Sequence, residues 1–288
     1  MPRRGVVTLA DANYFPGLVS LHASIQTSWP CPIACYDIGL TPEQRNEAER
    51  LSDLAILNLP DEPLIAALKQ ATRHCKPLAK ASKRIWPLWI CPLLIGAAPF
   101  DEVFWLDCDI LVLRGLDELF AELADGPVFT PENKAPDLTP NSPRLYELLP
   151  IERAFDPRIP TVNGGVSGWR LDRDNASLAA YIRPIAAAAC DPEVMEAISW
   201  HDQGALIWAI QSLGLEHRVL RSPLWNLCVD HLNLPGELVR WDEELCTRLR
   251  QALPNIRLLH WNGRPVPWSI AAKSCDSVLP LKSEAPAQ

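Results

Sequence analysis

The sequence predicts an α/β fold, a doubly wound mixed sheet that is mostly parallel and flanked by helices. Short apolar runs alternate with helix-patterned segments through the first third of the chain, the order that builds a parallel sheet. The first such run ends in polar residues, where doubly wound sheets present their ligand-binding loops. At 288 residues, 48% of them hydrophobic, the chain has ample material for a large core.

Gly5 to Ala10 is a short apolar strand, and Asp11-Ala12-Asn13-Tyr14 follows as a polar turn. Pro16 opens a helix with Leu18, Leu21 and Ile25 at helical spacing. No Gly-x-Gly-x-x-Gly appears there, which argues against a dinucleotide site. Asp11, Asn13 and Tyr14 suit a base and ribose, through stacking and hydrogen bonds, and equally suit an ordinary helix-capping turn. Ile33 to Asp37 reads as a second strand. Thr41-Pro42-Glu43-Gln44 is a capping box that starts a charged surface helix to about Ser52. Leu54 to Leu59 is a third strand, with a helix from about Asp61.

Lys80, Lys83 and Arg84 share one helical face. Such a face is either solvated or set to meet phosphate, and Arg84, abutting the apolar segment, is the candidate held in place. The run Ile85 to Phe100 contains Pro87, Pro92 and Pro99 and is too short to span a bilayer, so it reads as a buried helix or helix pair.

Val103 to Leu113 reads as one buried strand interrupted by two carboxylates. In extended backbone Asp107 and Asp109 share a face while Cys108 points elsewhere. Two adjacent carboxylates at the end of a core strand are costly without a positive charge between them. A divalent cation with a nucleotide diphosphate as co-ligand supplies that charge. The pair alone also fits two aspartates that turn the chain and cap the next helix.

Gly115 to about Ala124 is a helix. Pro127 to Pro160 reads as long and irregular, with a short helical stretch near Leu145, and suits a substrate-covering loop. In Thr161 to Trp169 the pair Gly164-Gly165 permits close backbone approach to a ligand, or a bulge. Asp172 to about Cys190 is helical. Asp202 and Gln203 precede the apolar Ala205 to Ile210, with Asp202 either a helix N-cap or an acid in a cleft. Ile256 to His260 is a strand with a histidine at its end. Residues 1–268 form one domain in this reading, and 269–288 a polar, flexible tail.

The net charge of −8 argues against nucleic acid as a partner. No signal-peptide core or membrane-spanning run is present, so a cytoplasmic location is expected, with peripheral membrane contact left open. The nine cysteines include no paired zinc spacing and read as small buried hydrophobes in a reducing compartment.

In order along the chain, five segments resemble the retaining glycosyltransferases of family 8, which have the GT-A fold and include bacterial galactosyltransferases and glycogenin. Ala10 to Tyr14 is similar to that family's uridine-binding loop. Phe104 to Val112, with Asp107-Cys108-Asp109, is similar to its D-x-D strand. Asn163-Gly164-Gly165-Val166 resembles its donor-sugar segment, Asp202-Gln203 its Asp-Gln pair, and His260 to Trp268 its His-aromatic-x-Gly…Pro-Trp motif. The resemblance implies a metal-dependent hexosyltransferase that takes a UDP-sugar donor and a glycan or glycolipid acceptor. It implies Mn²⁺ or Mg²⁺ on Asp107, Asp109 and His260. Ala10, Asp11, Asn13, Tyr14, Arg84 and Cys108 would hold the nucleotide, and Gly263 and Arg264 the diphosphate. Asn163, Gly164, Asp202 and Gln203 would hold the sugar, with Gln203 and Asp202 catalytic. Where the family usually has a lysine before its Pro-Trp, this chain has Val266, and Arg264 is the nearby cation. A non-catalytic nucleotide-sugar-binding protein and a nucleotidyltransferase are the alternative readings.

Overall fold

The structure is a computed structural model that describes residues 2–74, 86–132, 143–156, 158–220, 224–228 and 243–261. Its strands are β1 (Arg4–Asp11), β2 (Ile33–Gly39), β3 (Leu54–Leu57), β4 (Glu102–Leu106), β5 (Ile110–Val112), β6 (Val128–Pro131), β7 (Val162–Arg170), β8 (Arg218–Val219), β9 (Leu227–Cys228) and β10 (Leu258–His260). The helices are α1 (Phe15–Ser28), α2 (Pro42–Ala48), α3 (Pro63–His74), α4 (Cys91–Gly96), α5 (Asp117–Ala121), α6 (Pro143–Leu148), α7 (Asn175–Cys190), α8 (Pro192–Ala197), α9 (His201–Leu213) and α10 (Glu243–Ala252).

Seven strands make a mostly parallel sheet in the order β3-β2-β1-β4-β7-β6-β8, and β5-β10-β9 make a second, smaller one. This is the mixed α/β architecture expected from the sequence. β1 runs parallel to β4, with Val6 opposite Phe104, and β2 runs parallel to β3. β6 and β7 are antiparallel.

The chain divides into two compact units. The first comprises residues 1–7, 58–105 and 122–220. Its core is aromatic: Phe129 meets Trp169 edge-on at 5.3 Å, and Trp169 stacks on Tyr181 at 6.1 Å. Gly168 fits closely there, because a Cβ would overlap the Phe104 ring and crowd Leu123.

The second unit comprises residues 8–57, 106–121 and 221–288. Leu18, Leu21 and Ile25 of α1 are fully buried, as their spacing predicts. Two serines tie α1 to β5: Ser24 Oγ accepts from Val112 N–H, and Ser28 Oγ donates to Val112 O. Leu111, Leu113, Leu227, Leu249, Leu253, Ile256, Leu259 and Trp261 form an apolar cluster around the small sheet. The capping box of α2 is complete, with reciprocal bonds between Thr41 and Gln44.

Several elements differ from the sequence reading. Val103 to Leu113 is two strands, β4 and β5, separated by a turn at Asp107–Asp109 that Ile110 N–H closes onto Asp107 O. The region 127–160 opens with strand β6, while α6 supplies the short helix near Leu145. The glycine pair lies inside β7, whose register against β6 jumps from Ser167 opposite Phe129 to Asn163 opposite Thr130. Residues 164–166 therefore bulge past β6, the second of the two roles foreseen for glycine there. Asp202 is not the N-cap of α9. Trp200 holds that position, and Trp200 and His201 both adopt positive φ, 59° and 54°, leaving Asp202 in the first turn. α2 stops at Ala48, short of Ser52, and Asp53 at φ 58° leads into β3. Among the described residues no helix is long and apolar enough to cross a membrane, and six cysteines are free, five of them buried.

Candidate metal centre and amide cluster

In the second unit the Asp107–Asp109 turn and the end of β10 converge. β5 and β10 are antiparallel with His260 opposite Ile110, and Trp261 N–H donates to Asp109 O at 3.0 Å. This register sets the imidazole beside the turn. His260 Nε2 lies 3.2 Å from Asp109 Oδ1 and 3.9 Å from Asp107 Oδ2, and one ligand atom from each of the three residues falls within 4.8 Å of the others. Asp109 and His260 are buried, and Asp107 is partly open.

The proton inventory says what fits there. Nδ1 of His260 faces Asn226 Oδ1 at 3.0 Å. An amide oxygen only accepts, so Nδ1 carries a hydrogen, and Nε2 is the nitrogen that faces the aspartates. Asp109 Oδ1 is buried with no hydrogen-bond donor. Two carboxylates and one imidazole nitrogen converge on one small space, a donor set that a cation would fit. Oxygen ligands with one imidazole fit Mn²⁺ or Mg²⁺.

Cys108, between the aspartates, turns its thiol inward. Sγ donates to Leu9 O at 2.9 Å and lies 3.2 Å from Thr8 Oγ1. Burial above all pushes that thiol's pKa up. Cys108 pins the acidic turn to β1, and what it offers a ligand is backbone. At the end of β1, Ala10 is buried, and Asp11 Oδ1 accepts from Asn13 N–H and Tyr14 N–H, each at 2.9 Å. That aspartate thus caps its own turn while the Tyr14 ring stands 42% exposed.

The first unit holds a second constellation. Gln203, in the first turn of α9, accepts from Gly164 N–H at Oε1, 2.9 Å, and donates from Nε2 to Glu132 Oε2, 3.0 Å. The same Glu132 oxygen accepts from Asn163 Nδ2 at 3.1 Å, and Asn163 Oδ1 accepts from Gly165 N–H at 3.0 Å. The bulge in β7 is what turns these N–H groups toward the side chains. A Cβ on Gly164 would sit 3.3 Å from Gln203 Cβ, so glycine permits the approach. Tyr181 donates to Asp202 Oδ2 at 3.2 Å, and burial foremost, with Asp202 next, raises the phenol's pKa well above its ordinary value.

Comparison with solved structures gives the architecture a context. A crystal structure of the galactosyltransferase LgtC with donor and acceptor sugar analogues superposes with a TM-score of 0.60 at 16% identity, over 94% of this chain and 90% of that one. Mouse xyloside xylosyltransferase 1 does so with a TM-score of 0.55 at 12% identity, over 90% of this chain and 97% of that one. The fold is that of the GT-A glycosyltransferases. No protein-family model matches the chain, and a search of curated proteins finds no match.

Within that fold the structure brings Asp107, Asp109 and His260 together, and separately Asn163, Gly164 and Gln203. Asp202 lies in the first turn of α9 and is held through Tyr181. Arg84, Gly263 and Arg264 lie outside the described residues. Sequence reasoning missed three side chains. Glu132 stood in a proline-rich stretch read as irregular, and Tyr181 lay within the helix read from Asp172 to about Cys190 without being singled out. Asn226 carried no motif at all. The Asn-Gly-Gly and Asp-Gln segments pointed only indirectly to a buried partner: an amide held in the core needs an acceptor.

Proposed function

We propose that the chain is a metal-dependent retaining glycosyltransferase of the family 8 type, moving a hexose from a UDP-sugar to a glycan or glycolipid acceptor. Residues 1–268 serve as its catalytic domain. The observation that carries this reading is the convergence of Asp107, Asp109 and the Nε2 lone pair of His260 on a GT-A fold. A bound divalent cation supplies electrostatic stabilisation to the leaving diphosphate.

In this reading Asp11, Asn13 and Tyr14 hold uridine together with the Ala10 and Cys108 backbone. Arg84, Gly263 and Arg264 hold the diphosphate. Asn163, Gly164 and Asp202 hold the sugar. Gln203 stands at the reacting carbon, its amide oriented by Gly164 and Glu132. An amide is a poor nucleophile, so a covalent glycosyl intermediate on Gln203 is disfavoured. The acceptor hydroxyl instead attacks from the face the leaving diphosphate departs and gives its proton to that diphosphate, while the Gln203 carbonyl dipole stabilises positive charge developing on the sugar.

The test is to incubate the protein with Mn²⁺ and a panel of UDP-sugars and to follow release of UDP, with and without chelator. Chelator-sensitive release from one donor, with the product anomer matching the donor by NMR, is expected. Release that persists in chelator removes the cation from the mechanism, and silence across the panel removes the transferase.

A further inference from the structure

We infer that Asn226 is the positioning residue that prepares His260 for a cation, and that its neutral carboxamide limits how tightly the cation is held. The inference rests on the cation site proposed above. Asn226 immediately precedes β9, and β9 runs parallel to β10 with Cys228 opposite His260. The strand pair that fixes the imidazole therefore also delivers the carboxamide to its other edge. Both side chains are buried, each residue being 1% exposed, so neither has water to substitute for the other.

Neutral imidazole has one proton for two ring nitrogens. Asn226 Oδ1 takes it at Nδ1. With the carboxamide turned as it is, Oδ1 toward the ring, the opposite tautomer would set two lone pairs against each other at Asn226 and spend the proton on Asp109 Oδ1, closing the position a cation needs. Asn226 thus selects the form of His260 that ligates. Metal-ligating histidines commonly give their second N–H to a carboxylate, which orients the ring and raises its basicity. A carboxamide orients the ring without adding negative charge. A cation in such a site is directed as firmly but held less tightly, which suits one that exchanges with each departing diphosphate.

The test is Mn²⁺ uptake by the full chain, read from the electron paramagnetic resonance of free Mn²⁺, for wild type, Asn226→Leu, Asn226→Asp and His260→Ala. Asn226→Leu should weaken uptake roughly 10- to 100-fold, the usual effect of losing an outer partner of a ligating histidine. Asn226→Asp, which keeps the acceptor and adds charge, should bind more tightly than wild type, and equal affinity would overturn the limit ascribed to the carboxamide. Melting points in chelator are taken alongside. If Asn226→Leu is unfolded there, Asn226→Asp carries the test, and weaker binding by it overturns the inference. Uptake unchanged in a folded Asn226→Leu overturns it as well. Uptake that His260→Ala leaves untouched overturns the cation site and the inference together, whereas uptake sensitive to His260 but not to Asn226 overturns the inference alone.

Discussion

In the proposed reaction Asp109 Oδ1 is the atom on which the chemistry would turn, being buried, without a hydrogen-bond donor and 3.2 Å from Nε2 of His260. Asp109→Ala should lower turnover by about 10²–10³-fold, the range seen when one electrostatic stabiliser of a transition state is removed, while the melting point in chelator stays near wild type. Glu132 is the corresponding atom set in the first unit. Replacing it by Leu leaves the Nε2 of Gln203 and the Nδ2 of Asn163 without that acceptor, which should cost about 1–3 kcal/mol in urea denaturation. Asp37 illustrates the pH behaviour. Burial pulls its carboxyl up, but the N–H groups of Leu40 and Gly39 and the Arg45 guanidinium outweigh that and hold it below the usual aspartate value. A depressed folded pKa contributes stability above the unfolded value and loses it as pH falls through the folded one. Asp37→Asn should therefore melt lower than wild type at pH 6, and the gap should close as pH drops below about 4, the ordinary aspartate pKa.

The elements were legible in proportion to how local their causes are. α1 and the α2 capping box follow from spacing and cap residues, and both stand where the pattern put them. The division of residues 103–113 into β4 and β5 does not. Apolar residues continue on both sides of the aspartates, so hydrophobic pattern alone cannot mark a turn whose closing bond is Ile110 N–H to Asp107 O. β6 was hidden for a related reason: four residues with a terminal proline make a weak strand signal, and pairing with β7 supplies the rest. Gly168 shows how tightly that pairing packs on its other face. Gly168→Ala drives a methyl into Phe104 and Leu123 and should cost about 1–3 kcal/mol in the same urea assay.

For the molecule as a whole, ligand linkage offers a test that needs no acceptor. UDP with Mn²⁺ at about a hundred times its Kd should stabilise the fold by about 2.7 kcal/mol, read as a rise in melting point that Asp109→Ala abolishes. A rise of equal size in the variant would show that the nucleotide binds without the cation. At 16% identity or less, the GT-A neighbours share this architecture while sharing few residues. Many different apolar residues fill a sheet and helix sandwich, and the pattern of burial is what persists.

By itself, the sequence determined the α/β class, the alternation that makes the large sheet mostly parallel, and the motif residues on which chemistry was expected. These depend on periodicity, capping and residue type, which act over a few positions. Only the tertiary structure decided that His260, about 150 positions downstream of the aspartates, meets them through the β5–β10 register, that Asn226 turns its imidazole, and that Glu132 holds the amides of Gln203 and Asn163 in the first unit. Those contacts join segments distant in the chain, and a buried hydrogen-bond partner leaves no periodic trace in the residues that surround it.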